Sequence, residues 1–504
     1  MAVVEVNTRA DFLAQVGLGV GEGNGLAGDT TRVTADTLDL LGSPWMPPDG
    51  HTVTAILSNG TIPAQGPVIV NGELNNSTKN GTSHPYRIKV SNLDLTGVVR
   101  VVDPTHCLLE NLNVHDGNSN GLIRIRAYDL NNMTCLIRRC RVHSNTLDGI
   151  SVDKEVGASV ADCSRTIVTV ENCWVYDVGT ATPAGANQAL TTHQQATLIV
   201  DGGYYTSAGT SAVAPEASSS RIILRRATII GPVTCHWMEG CTLDTLGGSF
   251  ILFGKTGLDP SIIDSTLLNV SGFTVDYPTT VKRCRIVQNP TTNGTMFNFR
   301  NNGGSHLIEA CVIIGSNLSS NRCIGGATQP SQNMVCKNNL FHNFNAPFNM
   351  VSANWASLST WYNLYLGNTK FNQSMSVPVL GGRWNFYDSF TGGLGSWASL
   401  TTPAYNVAPT SRGYDRSEIA TDGKFLSGTG ASAYPMMNYA NDDFLPDLRT
   451  LDGQPLHKLI DWGADNLDNM AALDIYGNPY TMPTPGPYAM SFHRSQPKRR
   501  TIRR

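Results

Sequence analysis

The chain has 504 residues, too long for one ordinary compact core of about 100–200 residues, so it is either multidomain or an elongated repeat. Its 49 Gly and 15% charged residues favour many short strands joined by tight turns, and a formal net charge of -3 excludes the broad basic field that holds nucleic acid by counterion release. No apolar run of about 18 residues occurs, which excludes membrane insertion by a helix.

Residues 1–95 open without a charged segment followed by an apolar one, which predicts a protein made without an export leader. An amphipathic stretch at Thr8 to Val16 and strand-like runs at Thr52-Val53-Thr54-Ala55-Ile56-Leu57 and Tyr86-Arg87-Ile88-Lys89-Val90 suggest a capping or attachment domain, because an open solenoid end must be covered. Gly23-Asn24-Gly25-Leu26-Ala27-Gly28 matches GxGxxG in letters, but no convincing strand precedes it and no cofactor is expected there.

From residue 96 to 370 one phrase recurs: a polar pair, a small residue, then alternating apolar positions. It reads Glu110-Asn111-Leu112-Asn113-Val114-His115, Arg138-Arg139-Cys140-Arg141-Val142-His143, Glu171-Asn172-Cys173-Trp174-Val175-Tyr176, and onward to Lys337-Asn338-Asn339-Leu340-Phe341. The small residues fall at 112, 140, 173, 203, 227, 241, 266, 284, 311 and 339, mostly about 18–33 apart, the length of a β-solenoid coil. The 14 residues from Ala227 to Cys241 look too few for a three-strand coil, so one of those two alignments is suspect. Alternation turns Cys140, Cys173, Cys241, Cys284 and Cys311 inward as a stack of small apolar groups. The eleven cysteines, an odd number without CxxC or zinc-type spacing, read as reduced and buried, with no metal site.

A second strand row precedes the cysteine row: Leu122-Ile123-Arg124-Ile125-Arg126, Ile150-Ser151-Val152-Asp153, Leu190-Thr191-Thr192-His193 and Val213-Ala214-Pro215-Glu216. With Ile123, Ile150, Leu190 and Val213 inward, Arg126, Asp153, His193 and Glu216 form one outward ladder. Two carboxylates two coils apart would stand ~9–10 Å from each other, near the spacing of an inverting glycosidase pair, which makes these four the catalytic candidates. The competing reading is a solvated or salt-bridged surface. Asp148, Asp153, Glu155 and Asp162 are the one dense acidic group, with a spacing that argues poorly for calcium.

Beside the cysteines the outward positions read Asn113, Arg141, Trp174, Tyr204 on one line and His115, His143, Tyr176, Thr206 on the next. Flat rings flanked by Arg and His suit a sugar-binding groove or an oligomer interface equally well, and Trp174, Tyr176, Tyr204, Arg141 and His143 are the carbohydrate-binding candidates. Residues 371–504 lose the repeat and become rich in Gly, Ser, Pro and Trp. They end in Lys498-Arg499-Arg500-Thr501-Ile502-Arg503-Arg504, either a solvated tail or a dock for an acidic partner.

The stacked cysteine ladder over residues 96 to 370 resembles the pectate-lyase-like right-handed parallel β-helices. The expected fold is all-β: a right-handed parallel β-helix with an N-terminal cap or attachment domain and an irregular C-terminal β-rich cap. Leu473-Asp474-Ile475-Tyr476-Gly477-Asn478-Pro479 with Gly486-Pro487-Tyr488 is similar to the terminal segment of many β-helix surface proteins, which folds back over the last coils. A large β-helix without a leader and with free thiols resembles bacteriophage tailspikes and other β-helical virion proteins. That resemblance implies synthesis in the host cytoplasm, a place on the virion, a parallel homotrimer, other virion proteins held through the N-terminal domain, and a host surface polysaccharide as ligand. Whether the polysaccharide is cleaved stays open, as do two alternatives: a purely structural fibre, and an extracellular polysaccharide lyase or hydrolase of a cell.

Overall fold

The computed structural model describes residues 2–17, 23–55, 68–70, 72–75, 86–118, 120–128, 132–154, 158, 162–180, 187–215, 220–252, 260–275, 277–299, 304–326, 332–350, 355–366, 368, 379–381, 386–387, 413–414, 436–438, 443–446 and 471–480. The chain forms two compact units, Met1–Thr274 and Val275–Arg504. Each is built mainly from short parallel strands that wind through three sheets in turn, the arrangement of a right-handed parallel β-helix.

In the first unit, one coil shows the rule. Strand Thr134–Arg138 lies in the first sheet, Arg141–Asn145 in the second and Ile150–Lys154 in the third, and the next coil repeats this with Ile167–Glu171, Trp174–Val178 and Leu190–Thr192. Every strand pairs in parallel with the equivalent strand one coil away, as in Ile137 with Val170, Val142 with Val175 and Ile150 with Leu190. Alternate side chains enter the core, so Cys135, Ile137, Val142, Ile150 and Val152 are buried and stack on their counterparts.

The parallel ladder begins well before residue 96: Val3–Val6, Thr30–Val33, His51–Ala55 and Tyr86–Ser91 are successive strands of the first sheet. The expected helix is present at Arg9–Val16, capped where Thr8 Oγ1 accepts from the Asp11 amide. Its Phe12 is fully buried, with its ring 5.3 Å from that of Trp45. The Gly23–Gly28 segment follows this helix, not a strand, and the Asn24 and Gly25 amides bond the carbonyls of Ala14 and Gln15.

The corner between the first and second sheets explains the recurring phrase. Its middle residue adopts the left-handed conformation at Asn111, Arg139, Asn172, Gly202, Arg226, Gly240 and Asp264 in the first unit, and at Arg283, Ala310, Asn338 and Tyr362 in the second. At most of these corners the next residue is buried, and where it is Cys173, Ser265 or Asn339 its side chain accepts from the backbone amide one coil earlier. Cys173 Sγ takes the Cys140 amide at 3.4 Å, Ser265 Oγ the Cys241 amide at 3.2 Å and Asn339 Oδ1 the Cys311 amide at 2.9 Å. The register residue of that coil is thus Ser265, one place before the expected Thr266, whereas Ala227 and Cys241 both hold: Thr228 pairs with Thr242 and Ile229 with Leu243. Strands Thr228–Ile230, Val233–Cys235 and Trp237–Glu239 fit into 14 residues because their connections are only one or two residues long. All eleven cysteines are buried and unbridged.

The second unit repeats the pattern with Arg285–Gln288, Val312–Ile314, Leu340–His342 and Leu364–Leu366 in the second sheet. There the corner becomes an amide ladder, Asn339 Nδ2 donating to Asn363 Oδ1 at 3.0 Å. Residues 471–480 lie against it: the Ala471 amide bonds Asn338 Oδ1 at 2.9 Å and Tyr480 packs on Tyr362. Within that segment the buried Asp474 carboxylate accepts from the Tyr476 and Asn478 amides, closing the turn that the Tyr-Gly-Asn-Pro run encodes. The Asp443–Pro446 strand pairs antiparallel with Met436–Asn438; Gly486-Pro487-Tyr488 and the basic tail lie outside the described residues.

Candidate functional site

On the second sheet of the first unit, parallel pairing without slippage places like positions of successive coils side by side. Asn113, Arg141, Trp174 and Tyr204 fall on one outward line, and Thr96, His115, His143 and Tyr176 on the next. The inward neighbours Val114, Val142 and Val175 are fully buried and lock the parity. The rings of the second line stack: His115 on His143 at 5.2 Å and 6°, His143 on Tyr176 at 5.0 Å and 10°. Trp174 is 39% exposed, Arg141 is exposed, and Tyr176 and Tyr204 are half-buried. All five expected carbohydrate-binding residues therefore share one outer face.

His115 is held on both sides. Its Nε2 lies 2.6 Å from Asp94 Oδ1 and its Nδ1 2.7 Å from Asp116 Oδ2. The Asp94 hydrogen bond, opposed by burial and reinforced by Asp116, pushes the imidazole up to about 9, so His115 is an imidazolium at neutral pH. His143 shifts downward, first through burial and then through repulsion by His115; its Nε2 meets Asn113 Oδ1 at 3.1 Å and its Nδ1 meets Ser144 Oγ at 2.9 Å.

At the start of this line the surface opens into a concavity of about 650 Å3 lined by Leu41, Gly42, Gly72, Glu73, Thr96, Gly97 and Asp116. Sequence reasoning did not single out Asp94, Thr96 or Asp116. The signal was there: Ser91-Asn92-Leu93-Asp94-Leu95-Thr96 is another copy of the phrase, with Asn92 in the left-handed corner conformation.

The third-sheet row has the expected register, Arg126 opposite Asp153 and Val152 opposite Thr192, but not the expected exposure. Arg124, Arg126 and Asp153 point away from the solenoid core and are nonetheless buried. Asp153 Oδ1 accepts from Arg126 Nε at 2.5 Å and Oδ2 from Arg124 at 3.2 Å, while Arg126 also bonds the Lys154 carbonyl. Two guanidiniums thus occupy both oxygens of the carboxylate. His193 follows the strand Leu190–Thr192, its amide bonded to the Val152 carbonyl; Glu216 and Glu155 lie outside the described residues.

Among the described residues no group of three or more His, Cys, Asp or Glu is placed to hold a metal, and no helix is long and apolar enough to cross a membrane. Comparison with protein-family models, with curated proteins and with solved structures found no match for this chain.

Proposed function

We propose that the chain is a β-helical spike that binds a surface polysaccharide along the second sheet of its first unit. The observation that carries this reading is the outward row of Trp174, Tyr204, Tyr176 and His143 on adjacent coils, at a repeat of ~4.8 Å. Flat rings offer stacking faces to the apolar faces of sugar rings, and Arg141, Asn113 and the imidazoles supply donors and acceptors for hydroxyls. Long, repetitive and shallow, the row suits a chain ligand better than a compact one.

The resemblance to tailspikes extends this reading to a virion-borne host-attachment protein, assembled as a homotrimer and joined to other virion proteins through its N-terminal region. Binding is the core of the proposal. The engagement of both Asp153 oxygens supports a structural part for that residue over acid/base work.

The test is retention of the full chain on a panel of bacterial surface and capsular polysaccharides, with released reducing and unsaturated ends followed in parallel. Retention on one glycan that falls at least ten-fold in Trp174→Ala with Tyr204→Ala supports the reading, since each lost stacking contact is worth about 1 kcal/mol. Absence of retention across the panel, with a trimer whose contacts cover Trp174, would replace it with the structural-fibre alternative.

A further inference from the structure

The concavity at the head of the ring row has a chemistry of its own. Two of its lining residues on different coils, Glu73 and Asp116, are acidic, and among the described residues none of those lining it is basic. Asp116 is held by His115 through Oδ2 and stays largely exposed, at 64% of its side chain. Glu73 is exposed, with Asn75 Nδ2 at 3.3 Å from its Oε2. Among the described residues the charges do not cancel: Asp94 and Asp116 both hold the single imidazolium of His115, and Glu73 adds a further carboxylate on the lining of the concavity.

The remaining walls suit an organic group better than a bare ion. Leu41 stands at the rim with 70% of its surface exposed, Gly42 and Gly97 bring backbone to the wall, and Thr96 adds a hydroxyl oxygen whose proton goes to the Ile69 carbonyl. A volume of about 650 Å3 is in the range of small-molecule sites and accommodates a sugar residue, whereas a divalent cation asks for six or more close oxygens. Thr96 pairs in register with His115, so the concavity continues the line of stacked rings.

We propose that this concavity is a subsite for a sugar bearing a free, protonated amine, with the ammonium between Glu73 and Asp116 and the ring against Leu41 and Thr96. The inference rests on the glycan reading and narrows it to polysaccharides containing unacetylated amino sugars. A uronate in the same place would meet two like charges, and an N-acetyl group would have no charge to offer and a carbonyl facing carboxylates. Salt sensitivity follows, because both carboxylates are open to solvent.

The test uses the full chain and two probes, methyl glucosaminide and its N-acetyl counterpart, read by saturation-transfer NMR, beside polysaccharide retention through the ring row. The expected result is transfer to the free amine at least about ten-fold stronger in apparent affinity than to the acetylated sugar, with that preference erased in both Glu73→Gln and Asp116→Asn. Equal transfer to the two sugars, transfer to neither, or a preference that survives both substitutions overturns the subsite. Retention that depends on Trp174 without any amine preference sinks the subsite alone. Amine-selective transfer without retention of any polysaccharide sinks the glycan reading and leaves the subsite standing.

Discussion

His115 and His143 lie face to face, 5.2 Å between ring centroids and 6° from parallel, yet they sit on opposite sides of neutrality. The first is gripped by Asp94 and Asp116 and carries a proton to about pH 9; the second is discouraged from taking one by burial and by the charge beside it. A charged ring over a neutral ring over Tyr176 is a favourable order, because the cation lies against a π face instead of a second cation.

A pH dependence follows from His115. Its folded-state value lies above the unfolded one of about 6.5, so its contribution is fully present below that pH and is lost as the pH rises through about 9. Unfolding free energy from urea titrations at pH 6 to 10 is expected to fall on the alkaline side, by an amount on the order of 1 kcal/mol after solvent screening. His115→Gln should flatten that decline. An unchanged alkaline slope in the variant would show that other groups set it.

Asp153 separates structure from catalysis. Removing its charge leaves Arg124 and Arg126 buried beside a neutral amide, and loss of one partner of a buried ion cluster costs about 3 kcal/mol. Asp153→Asn should therefore lower the denaturant midpoint markedly, and Arg126→Met in the Asp153→Asn background should cost less than it does alone. A variant as stable as the parent would return Asp153 to the list of residues kept for chemistry.

Much of the first-unit architecture is legible because two local signals agree. Period-2 alternation at Val142, His143 and at Val175, Tyr176 sets parity, and the polar pair with a small residue marks each corner, so the outward rows at Arg141–Trp174–Tyr204 and His143–Tyr176 are legible in the sequence. Where the corner residue is not unique, register slips: Ser265 and Thr266 are both small, and only the bond from the Cys241 amide to Ser265 Oγ distinguishes them. Burial of the third-sheet row was not legible, since alternation reports the direction of Arg124 and Asp153 but not what covers them. The early coils were hidden for a different reason. The corner after Thr30–Val33 runs Thr34-Ala35-Asp36 before the next strand at Thr37, in place of the polar pair and small residue that mark the later corners.

Cys173 occupies a position where a small hydrophobe alone is not enough. Its sulfur accepts the Cys140 amide at 3.4 Å and its S–H is within reach of the Glu171 carbonyl, so alanine would strand a buried N–H while serine would preserve an acceptor. Chemical denaturation should find Cys173→Ala destabilised by about 2 kcal/mol and Cys173→Ser closer to the parent. Burial also pushes the Cys135, Cys173 and Cys235 thiols far upward, so thiol reagents should label the native protein slowly and the unfolded chain at all eleven sites. Equal cost for Ala and Ser would mean that packing, not the hydrogen bond, selects the residue.

His306 predicts the opposite pH response in the second unit. Its ring is 2% exposed, 4.3 Å from Phe299 and 6.0 Å from Trp355, and neither nitrogen has a hydrogen bond of proper geometry among the described residues; both amide atoms of the buried Gln332 are in the same condition. Burial pushes the imidazole down to about 4, against a weak opposing pull from Gln332. Between about pH 6.5 and 4 the unfolded chain takes up a proton that the folded one refuses, so stability is present above 6.5 and is lost as the pH falls towards 4, by a total on the order of 2–3 kcal/mol. His306→Leu removes both the proton and two stranded nitrogens from an apolar setting, and should raise stability at pH 5 and flatten the acid limb of the curve. The measurement is urea unfolding at pH 7, 6, 5 and 4 for parent and variant. If the two curves run parallel, the acid sensitivity lies elsewhere and the histidine is satisfied by water that enters with it.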